Sequence, residues 1–344
     1  MLYERVADLP VRIDGYDLER RQRETSSDFT RTTTVLTLHG DGHHGRGEDV
    51  TYDAEIQEAF PEDLPLAGEY TVGTFSECLD KLDLFAEEPE SEAYRRYRRW
   101  AMESAALDLA LRQAGTDLAA ALGREYSPVR FVVSSVLGDP PAVDDVREWL
   151  DIDPDLEFKL NASPEWSDGL MEDLAATDRV RILDLNGQYE GAEEPDPDFY
   201  RRLREAFPDA FIEDPVLTAE TRAALRPAAE RVTWDAPIVD VESATERPWT
   251  PRWLNCKPSR FGTVESLFAF LEYCESEGIG LYGGGQYELD VGREHVHAIA
   301  SIFYPDSPND VAPRGYNDPE PRQGLPESPL SPPDGPAGLG WPVE

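Results

Sequence analysis

Five charged side chains end short apolar runs between residues 156 and 258: Lys159, Asp184, Glu213, Asp235 and Lys257. Lysine amines and carboxylates can transfer protons, and three carboxylates together suit a hard divalent cation. Successive members are 25, 29, 22 and 22 residues apart by subtraction. A strand, a helix and their loops need about 30 residues, so the intervals indicate consecutive βα units. We therefore predict that each side chain lies at the C-terminal end of a strand.

Strand ends of this kind converge on one face of a (β/α) barrel, the face where active sites are built. Apolar runs at 130–136 and 279–282 extend the strand–helix alternation on both sides of the charged segment. Before the barrel, alternating residues at 32–39 and 47–52 predict a β-hairpin, and 91–122 predicts a buried helical region. The polar segment 16–30 is interpreted as a mobile connection.

The composition is strongly acidic, with 70 acidic and 32 basic residues and a formal charge of −38. Only three of the basic residues are lysines, which leaves 29 arginines. An acid-rich, lysine-poor surface favours a halophilic cytoplasmic protein, because molar salt screens its self-repulsion. The alternative is an ordinary acidic protein. Nucleic acids and anionic membranes are disfavoured as partners, since both require basic surfaces. The three cysteines show no disulfide or zinc spacing, and a homo-oligomer is expected only on general grounds.

Lysine is so rare here that the remaining lysines are expected to be needed. Two of the three, Lys159 and Lys257, fall at predicted strand ends in the carboxylate-rich segment. The alternative is that both are salt-bridge partners at the barrel mouth, since ion-pair networks also use such positions.

Several fragments, in the right order and at barrel spacing, resemble the enolase superfamily, specifically its muconate-lactonizing and o-succinylbenzoate-synthase-like branch. The resemblance covers nearly the whole chain. The fragments are GRGE at 45–48, AMESAALDLAL at 101–111, ILDLN at 182–186, IEDP at 212–215 and NCKPSRFG at 255–262.

This resemblance implies an α/β fold with an N-terminal α+β capping domain and linking helix (1–126), a modified (β/α) TIM-type barrel (127–312) and a Pro-rich tail (313–344). It implies Mg²⁺, with Mn²⁺ as the alternative, held by Asp184, Glu213 and a carboxylate from the fifth strand. It also implies that a lysine removes a proton α to the carboxylate of a small substrate, while the metal stabilises the enediolate.

Two features depart from the family pattern. The second strand usually carries Lys-x-Lys, but here the sequence is Lys159-Leu160-Asn161. An amide cannot take a proton, so we expect a one-base reaction by Lys257, with Lys159 neutralising charge. Two lysines close together are also expected to lower each other's pKa.

The second departure is in the fifth strand, where the family has Asp-Glu-Ser. Asp235 and Asp240 are both candidates for the third metal ligand. Asp240 leaves 17 residues before Lys257, including two prolines, whereas Asp235 leaves 22. We favour Asp235, because a helix and two loops fit the longer interval better.

Asn161, Asn186 and Glu288 are the predicted substrate contacts, although a turn or packing role is the alternative for Glu288. The resulting hypothesis is a metal-dependent lyase or isomerase of the dehydratase, cycloisomerase or synthase type. The alternative, motivated by Asn161, is an enolase-like protein that has lost catalysis and serves in binding or structure.

Overall fold

A computed structural model describes residues 1–26, 29–189, 191–192, 195–335 and 338–341. The N-terminal part holds an antiparallel three-stranded sheet in the order β2-β3-β4 and a two-stranded sheet of β1 and β5. Its strands are β1 (Pro10–Ile13), β2 (Gly15–Glu24), β3 (Thr30–Gly40), β4 (His43–Asp49) and β5 (Gly68–Thr71). Its helices are α1 (Glu4–Ala7), α2 (Ala54–Glu58), α3 (Val72–Leu79), α4 (Glu92–Gln113) and α5 (Leu118–Leu122).

The prediction of a mobile connection at 16–30 is wrong, since most of this segment forms β2. This strand pairs with β3 over its whole length, from Gly15 opposite His39 to Glu24 opposite Thr30. None of its residues is fully buried. An edge strand with its side chains in water can be polar on both faces, so it lacks the apolar alternation that reveals a strand.

The predicted hairpin is β3–β4, and its glycines allow the long helix α4 to pack directly on the sheet. A Cβ added at Gly45 would lie 2.2 Å from the carbonyl oxygen of Ala105, and one at Gly47 would lie 1.9 Å from that of Ala101. The small residues of α4 meet these glycines. This close backbone approach explains two of the fragments on which the family resemblance rests.

The barrel consists of parallel strands paired in chain order, from β6 at one edge to β12 at the other. The strands are β6 (Val133–Ser135), β7 (Phe158–Asn161), β8 (Val180–Asp184), β9 (Phe211–Glu213), β10 (Val232–Trp234), β11 (Trp253–Cys256) and β12 (Gly280–Gly283). A two-residue segment closes the barrel as its eighth member, with Asn309 bridging Phe131 and Asp310 bridging Gly284. The predicted α/β fold is therefore confirmed.

Helices lie between these strands and after the last of them, in agreement with the predicted strand–helix alternation. They are α6 (Asp144–Ile152), α7 (Asp168–Ala176), α8 (Pro197–Ala206), α9 (Ala219–Leu225), α10 (Val241–Thr245), α11 (Val264–Glu277) and α12 (Val291–Phe303). Capping residues fix the ends of several of these helices. Asp196 caps α8 with Pro197 in its first turn, while Thr263 caps α11 and Gly278 ends it in a left-handed conformation.

The N-terminal unit is held over the barrel through the start of α12. The buried Glu48 carboxylate accepts hydrogen bonds from the backbone N–H groups of Leu289, Asp290 and Gly292 at 2.6–3.0 Å. Arg46 and Arg21 both pair with the Asp290 carboxylate at 2.7 Å. An anion at a helix N-terminus satisfies N–H groups that have no partner within the helix.

The described part of the Pro-rich tail packs against the rest of the protein. Leu330 exchanges backbone hydrogen bonds with Val129, and the backbone N–H of Leu339 donates to Asp108. Trp341 is buried beside Tyr126. Of the predicted tail, residues 336–337 and 342–344 lie outside the described residues.

Candidate active site at the barrel mouth

The strand register brings the predicted site residues together. Asn161 lies opposite Asp184 in the β7–β8 pairing, and Asp184 lies opposite Glu213 in the β8–β9 pairing. Asp235 and Lys257 directly follow β10 and β11. Lys159 is the second residue of β7 rather than its last, because the strand continues to Asn161.

Lys159 links three carboxylates from different strands. Its Nζ lies 2.9 Å from Glu213 Oε1, 3.0 Å from Asp184 Oδ2 and 3.5 Å from Asp310 Oδ2. Lys159, Asp184 and Glu213 are all buried. A single ammonium group therefore offsets much of the negative charge on this side of the barrel mouth.

Lys257 is paired on the other side. Its Nζ lies 2.9 Å from Asp235 Oδ2, and Arg260 Nη1 lies 2.9 Å from Asp235 Oδ1. The two lysines belong to the second and sixth of eight barrel positions, so they face each other across the ring of carboxylates. This placement supports Asp235 rather than Asp240 as the fifth-strand site residue. Asp240 instead caps α10 through a hydrogen bond from the Ser243 backbone.

Lys159 lowers the pKa of Lys257 as expected, but the net pKa of each lysine is raised. Burial lowers the pKa of Lys159, but Asp184 and Glu213 outweigh it and hold that pKa well above its usual value. Burial likewise lowers the pKa of Lys257, while Asp235 raises it further than burial lowers it. The carboxylates dominate because each amine is in direct contact with them, at 2.9–3.5 Å. Both lysines are therefore protonated in this arrangement.

The pKa values of the buried carboxylates Glu213 and Asp235 shift in opposite directions. Burial and neighbouring carboxylates raise the pKa of Glu213 to about 8, although Lys159 opposes the shift. Burial also raises the pKa of Asp235, but Arg260 and Lys257 more than offset it, so its net pKa lies below the usual range. Two cations are committed to Asp235, whereas Glu213 shares one ammonium with its neighbours.

Asp214 orients the segment that carries Asp235. Its two carboxylate oxygens accept hydrogen bonds from the backbone N–H groups of Asp235 and Ala236, each at 2.8 Å. Asp214 itself has a φ of 50°, a left-handed conformation that is unfavourable for most residues. The Asp214 side chain thus binds the backbone that follows the neighbouring strand.

The side chains enclose a cavity of about 180 Å³ at the C-terminal ends of the strands. Asn161, Asn186, Lys159, Asp184, Asp235 and Lys257 all line it. Glu288, also predicted to contact substrate, is not among the described residues that line the cavity. Its carboxylate accepts from the Gln286 backbone N–H at 2.7 Å and lies 3.2 Å from Arg293 Nη2. Glu288 thus holds Arg293, which does line the cavity.

Sequence reasoning missed several residues of this cavity. Tyr52 reaches it from the N-terminal unit, Tyr189 from the loop after β8, and Asp310 from the short closing segment. Arg260 contacts Asp235 from three residues beyond Lys257. Arg260 had a usable signal, since a basic residue one turn after Lys257 returns to the same site. Asp310 had none, because two residues are too few to show a strand pattern.

The donor set suits a divalent, oxygen-preferring metal ion. Asp184, Glu213 and Asp235 carry carboxylates at or beside the ends of three adjacent strands. Asp184 and Asp235 line the cavity, whereas Glu213 is not among the described residues that line it. Glu213 Oε2 is buried and accepts no hydrogen bond from any described residue, which leaves it available as a ligand. Among the described residues, no three acidic, histidine or cysteine side chains are grouped closely enough to hold a metal ion in this arrangement. Lys159 Nζ bridges Asp184 and Glu213, while Lys257 and Arg260 hold Asp235.

Comparison with known families gives a direct match. Two sequence models cover most of the chain: the DUF8230 N-terminal domain at residues 4–121 and the DUF8230 C-terminal domain, a domain of unknown function, at residues 125–318. The chain belongs to the DUF8230 family. None of the helices in the described ranges is long and apolar enough to cross a membrane.

This DUF8230 protein is similar in sequence or in fold to several named enzymes. It is 28% identical to N-succinylamino acid racemase of Thermus thermophilus, over 82% of this chain and 78% of that protein. It is 26% identical to o-succinylbenzoate synthase of Geobacillus kaustophilus, over 88% and 85%. The structure of muconate cycloisomerase from Pseudomonas fluorescens superposes with a TM-score of 0.69 at 18% identity, covering 97% of each chain. The predicted resemblance to this branch of the enolase superfamily is confirmed.

Proposed function

We propose that the protein is a Mg²⁺-dependent lyase or isomerase that removes a proton α to the carboxylate of a small substrate. The observation that carries this proposal is the placement of two buried lysines on opposite sides of three strand-end carboxylates. Retention of lysine at these two positions in a chain with three lysines supports it further. The named relatives are a racemase and a synthase, which favours an enzyme over a purely structural protein.

Asp184, Glu213 and Asp235 are the residues that would hold the metal, with Mn²⁺ as the alternative to Mg²⁺. The bound cation would supply dense positive charge next to the substrate carboxylate and would share the carboxylates that now hold both lysines protonated. Asp214 keeps Asp235 in place through two backbone hydrogen bonds. Arg260 fixes the orientation of the Asp235 carboxylate.

Lys257 Nζ is the proposed acceptor of the α-proton. It lines the cavity, and it is the cavity's only lysine besides Lys159 among the described residues. Lys159 provides positive charge on the opposite side. Asn161 lies two residues after Lys159, on the same strand face, and also lines the cavity. Its amide cannot accept a proton, so the chemistry proceeds from one face of the substrate.

Two neighbouring cavities suggest where each part of a substrate binds. The polar cavity has a volume of about 180 Å³, below the roughly 300–1,000 Å³ of typical small-molecule pockets. A second cavity of about 550 Å³ shares Asn161, Asn186 and Tyr189 with it and has apolar walls that include Leu137, Trp166 and Phe199. We propose that the remainder of the substrate lies there.

The net charge of the protein indicates the salt conditions in which it works. A formal charge of −38 and the scarcity of lysine favour a halophilic cytoplasm as the place of action. The alternative of a non-catalytic binding protein rests on Asn161 alone. It predicts that no carboxylic acid exchanges its α-proton in the presence of this protein.

The test is solvent deuterium incorporation into a panel of carboxylic acids, with Mg²⁺ in molar KCl, detected by NMR. We expect exchange with wild type and at least a hundredfold loss in Lys257→Ala, a typical contribution for a general base. Lys81→Ala is the matched control, because Lys81 is the one lysine outside the site and is exposed. Exchange that is equally fast in wild type and Lys257→Ala would refute the assigned base.

A further inference from the structure

Among the buried and half-buried arginines, Arg96 alone has no bonding partner among the described residues. It lies on α4 and is half-buried, and its Nε is enclosed without a hydrogen-bond partner. No ion pair, hydrogen bond or aromatic contact joins Arg96 to any described residue. The remaining buried or half-buried arginines all have such partners. In a chain with a formal charge of −38, an arginine without an anion needs an explanation.

Arg96 lines a cavity of about 540 Å³ beside the N-terminal half of α4. One wall is apolar and is formed by Leu79, Leu82, Leu84, Phe85 and Phe261. The basic wall is formed by Arg95, Arg96 and Arg99 of α4. None of the residues lining this cavity lines the cavities at the barrel mouth.

The other two arginines are already neutralised. Arg99 contacts Asp80 Oδ1 at 2.8 Å and Glu103 Oε1 at 2.7 Å. Arg95 pairs with Glu88 and lies 3.3 Å from Glu92. Asp80 and Glu88, which also line the cavity, are thus occupied by their own partners. The unpaired charge of this wall is that of Arg96.

The exposed Asp83 is the remaining carboxylate of the cavity. It forms no ion pair with a described arginine. Binding of an external anion next to Arg96 must therefore overcome repulsion by one exposed carboxylate, which molar salt screens strongly.

We propose that this cavity is a second binding site, for a small organic carboxylate that carries an apolar group. The carboxylate pairs with the guanidinium of Arg96, whose planar fork of donors matches its two oxygens. The apolar group packs against the leucine and phenylalanine wall. Such a ligand pairs with the Arg96 charge and also covers the apolar wall. Chloride would do only the first, and a neutral apolar molecule only the second.

The test uses the full chain and phenylacetate as the probe, with binding measured by titration calorimetry in molar KCl. We expect saturable binding with millimolar affinity that weakens about tenfold or more in Arg96→Gln, the loss typical of one charge-assisted hydrogen bond. The neutral analogue 2-phenylethanol should bind at least tenfold more weakly than phenylacetate. Arg226→Gln is the matched control, because Arg226 is exposed on the barrel and outside this cavity.

Two further variants test the site without removing Arg96. Leu82→Trp fills the apolar wall and should abolish the component of binding that depends on Arg96. Asp83→Asn removes the repelling carboxylate and should strengthen binding. Equal affinity in wild type and Arg96→Gln, equal binding of the neutral analogue, or no saturable binding of phenylacetate would each overturn the proposal.

Discussion

Lys159 Nζ lies 2.9 Å from Glu213 Oε1, yet the second oxygen of the same carboxylate accepts no hydrogen bond within the described ranges of the chain. Both side chains are buried. A fully satisfied structural ion pair would use both oxygens, because an unpaired buried carboxylate oxygen is costly. The free oxygen of Glu213 supports its proposed role as a metal ligand.

The two lysines are expected to differ in their effect on stability without metal. Lys159→Met removes the only cation within 4 Å of Glu213 and Asp184 among the described residues, and should lower the free energy of unfolding by about 3 kcal/mol or more. Lys257→Met leaves Asp235 paired with Arg260, so its effect should be smaller. Urea unfolding in molar KCl with a chelator measures both values. A larger loss in Lys257→Met would contradict this view of the charges.

Asn161→Lys should change the stereochemical course of exchange. Asn161 lines the cavity on the same face of β7 as Lys159, so the substitution adds an amine on the side opposite Lys257. Wild type is expected to exchange the α-proton of one enantiomer only, whereas Asn161→Lys should exchange both. Chiral analysis of the products after incubation in D₂O measures this.

Asn161→Gln is the matched control for that experiment. It changes the side-chain length without adding a group that titrates near neutrality, and should keep exchange on one face. Exchange of both enantiomers by wild type would contradict the one-base account.

Two histidines of α12 should make the protein sensitive to acid. Burial lowers the pKa of His295 and of His297 to about 3, compared with about 6.5 in an unfolded chain. Below about pH 6.5 the unfolded chain takes up protons that the folded protein does not. Stability that is present above that pH is therefore lost progressively as the pH falls towards 3.

His295→Leu should flatten this pH dependence. Both ring nitrogens of His295 are buried and have no hydrogen-bond partner among the described residues, so leucine sacrifices no hydrogen bond at neutral pH. Urea unfolding between about pH 7 and pH 5 measures the slope. His43→Leu, which removes an exposed histidine, is the control. An unchanged slope in His295→Leu would contradict the assignment.

Much of the barrel could be predicted because its strands are buried on both faces and are separated by capped helices. The spacing placed Asp184, Glu213, Asp235 and Lys257 at or next to strand ends, and the length of the interval before Lys257 favoured Asp235 over Asp240. The edge strand β2 could not be predicted, since its side chains remain in water and carry no apolar pattern.

The electrostatics of the site were less predictable than its position. The sequence predicts that two lysines and three carboxylates converge, but not that each lysine pairs directly with carboxylates. Asp310 is brought in by a two-residue closing segment, and Tyr52 by the docking of a separate unit. Such long-range contacts leave no local pattern in the sequence.

The most direct test of the central claim is Mg²⁺ binding by titration calorimetry in molar KCl, with wild type, Asp184→Asn, Asp235→Asn and Asp240→Asn. The account predicts that wild type and Asp240→Asn bind one Mg²⁺, because Asp240 serves as a helix cap. Asp184→Asn and Asp235→Asn should lose binding while remaining folded. Absence of Mg²⁺ binding by folded wild type, or its loss in Asp240→Asn alone, would contradict the proposed metal site.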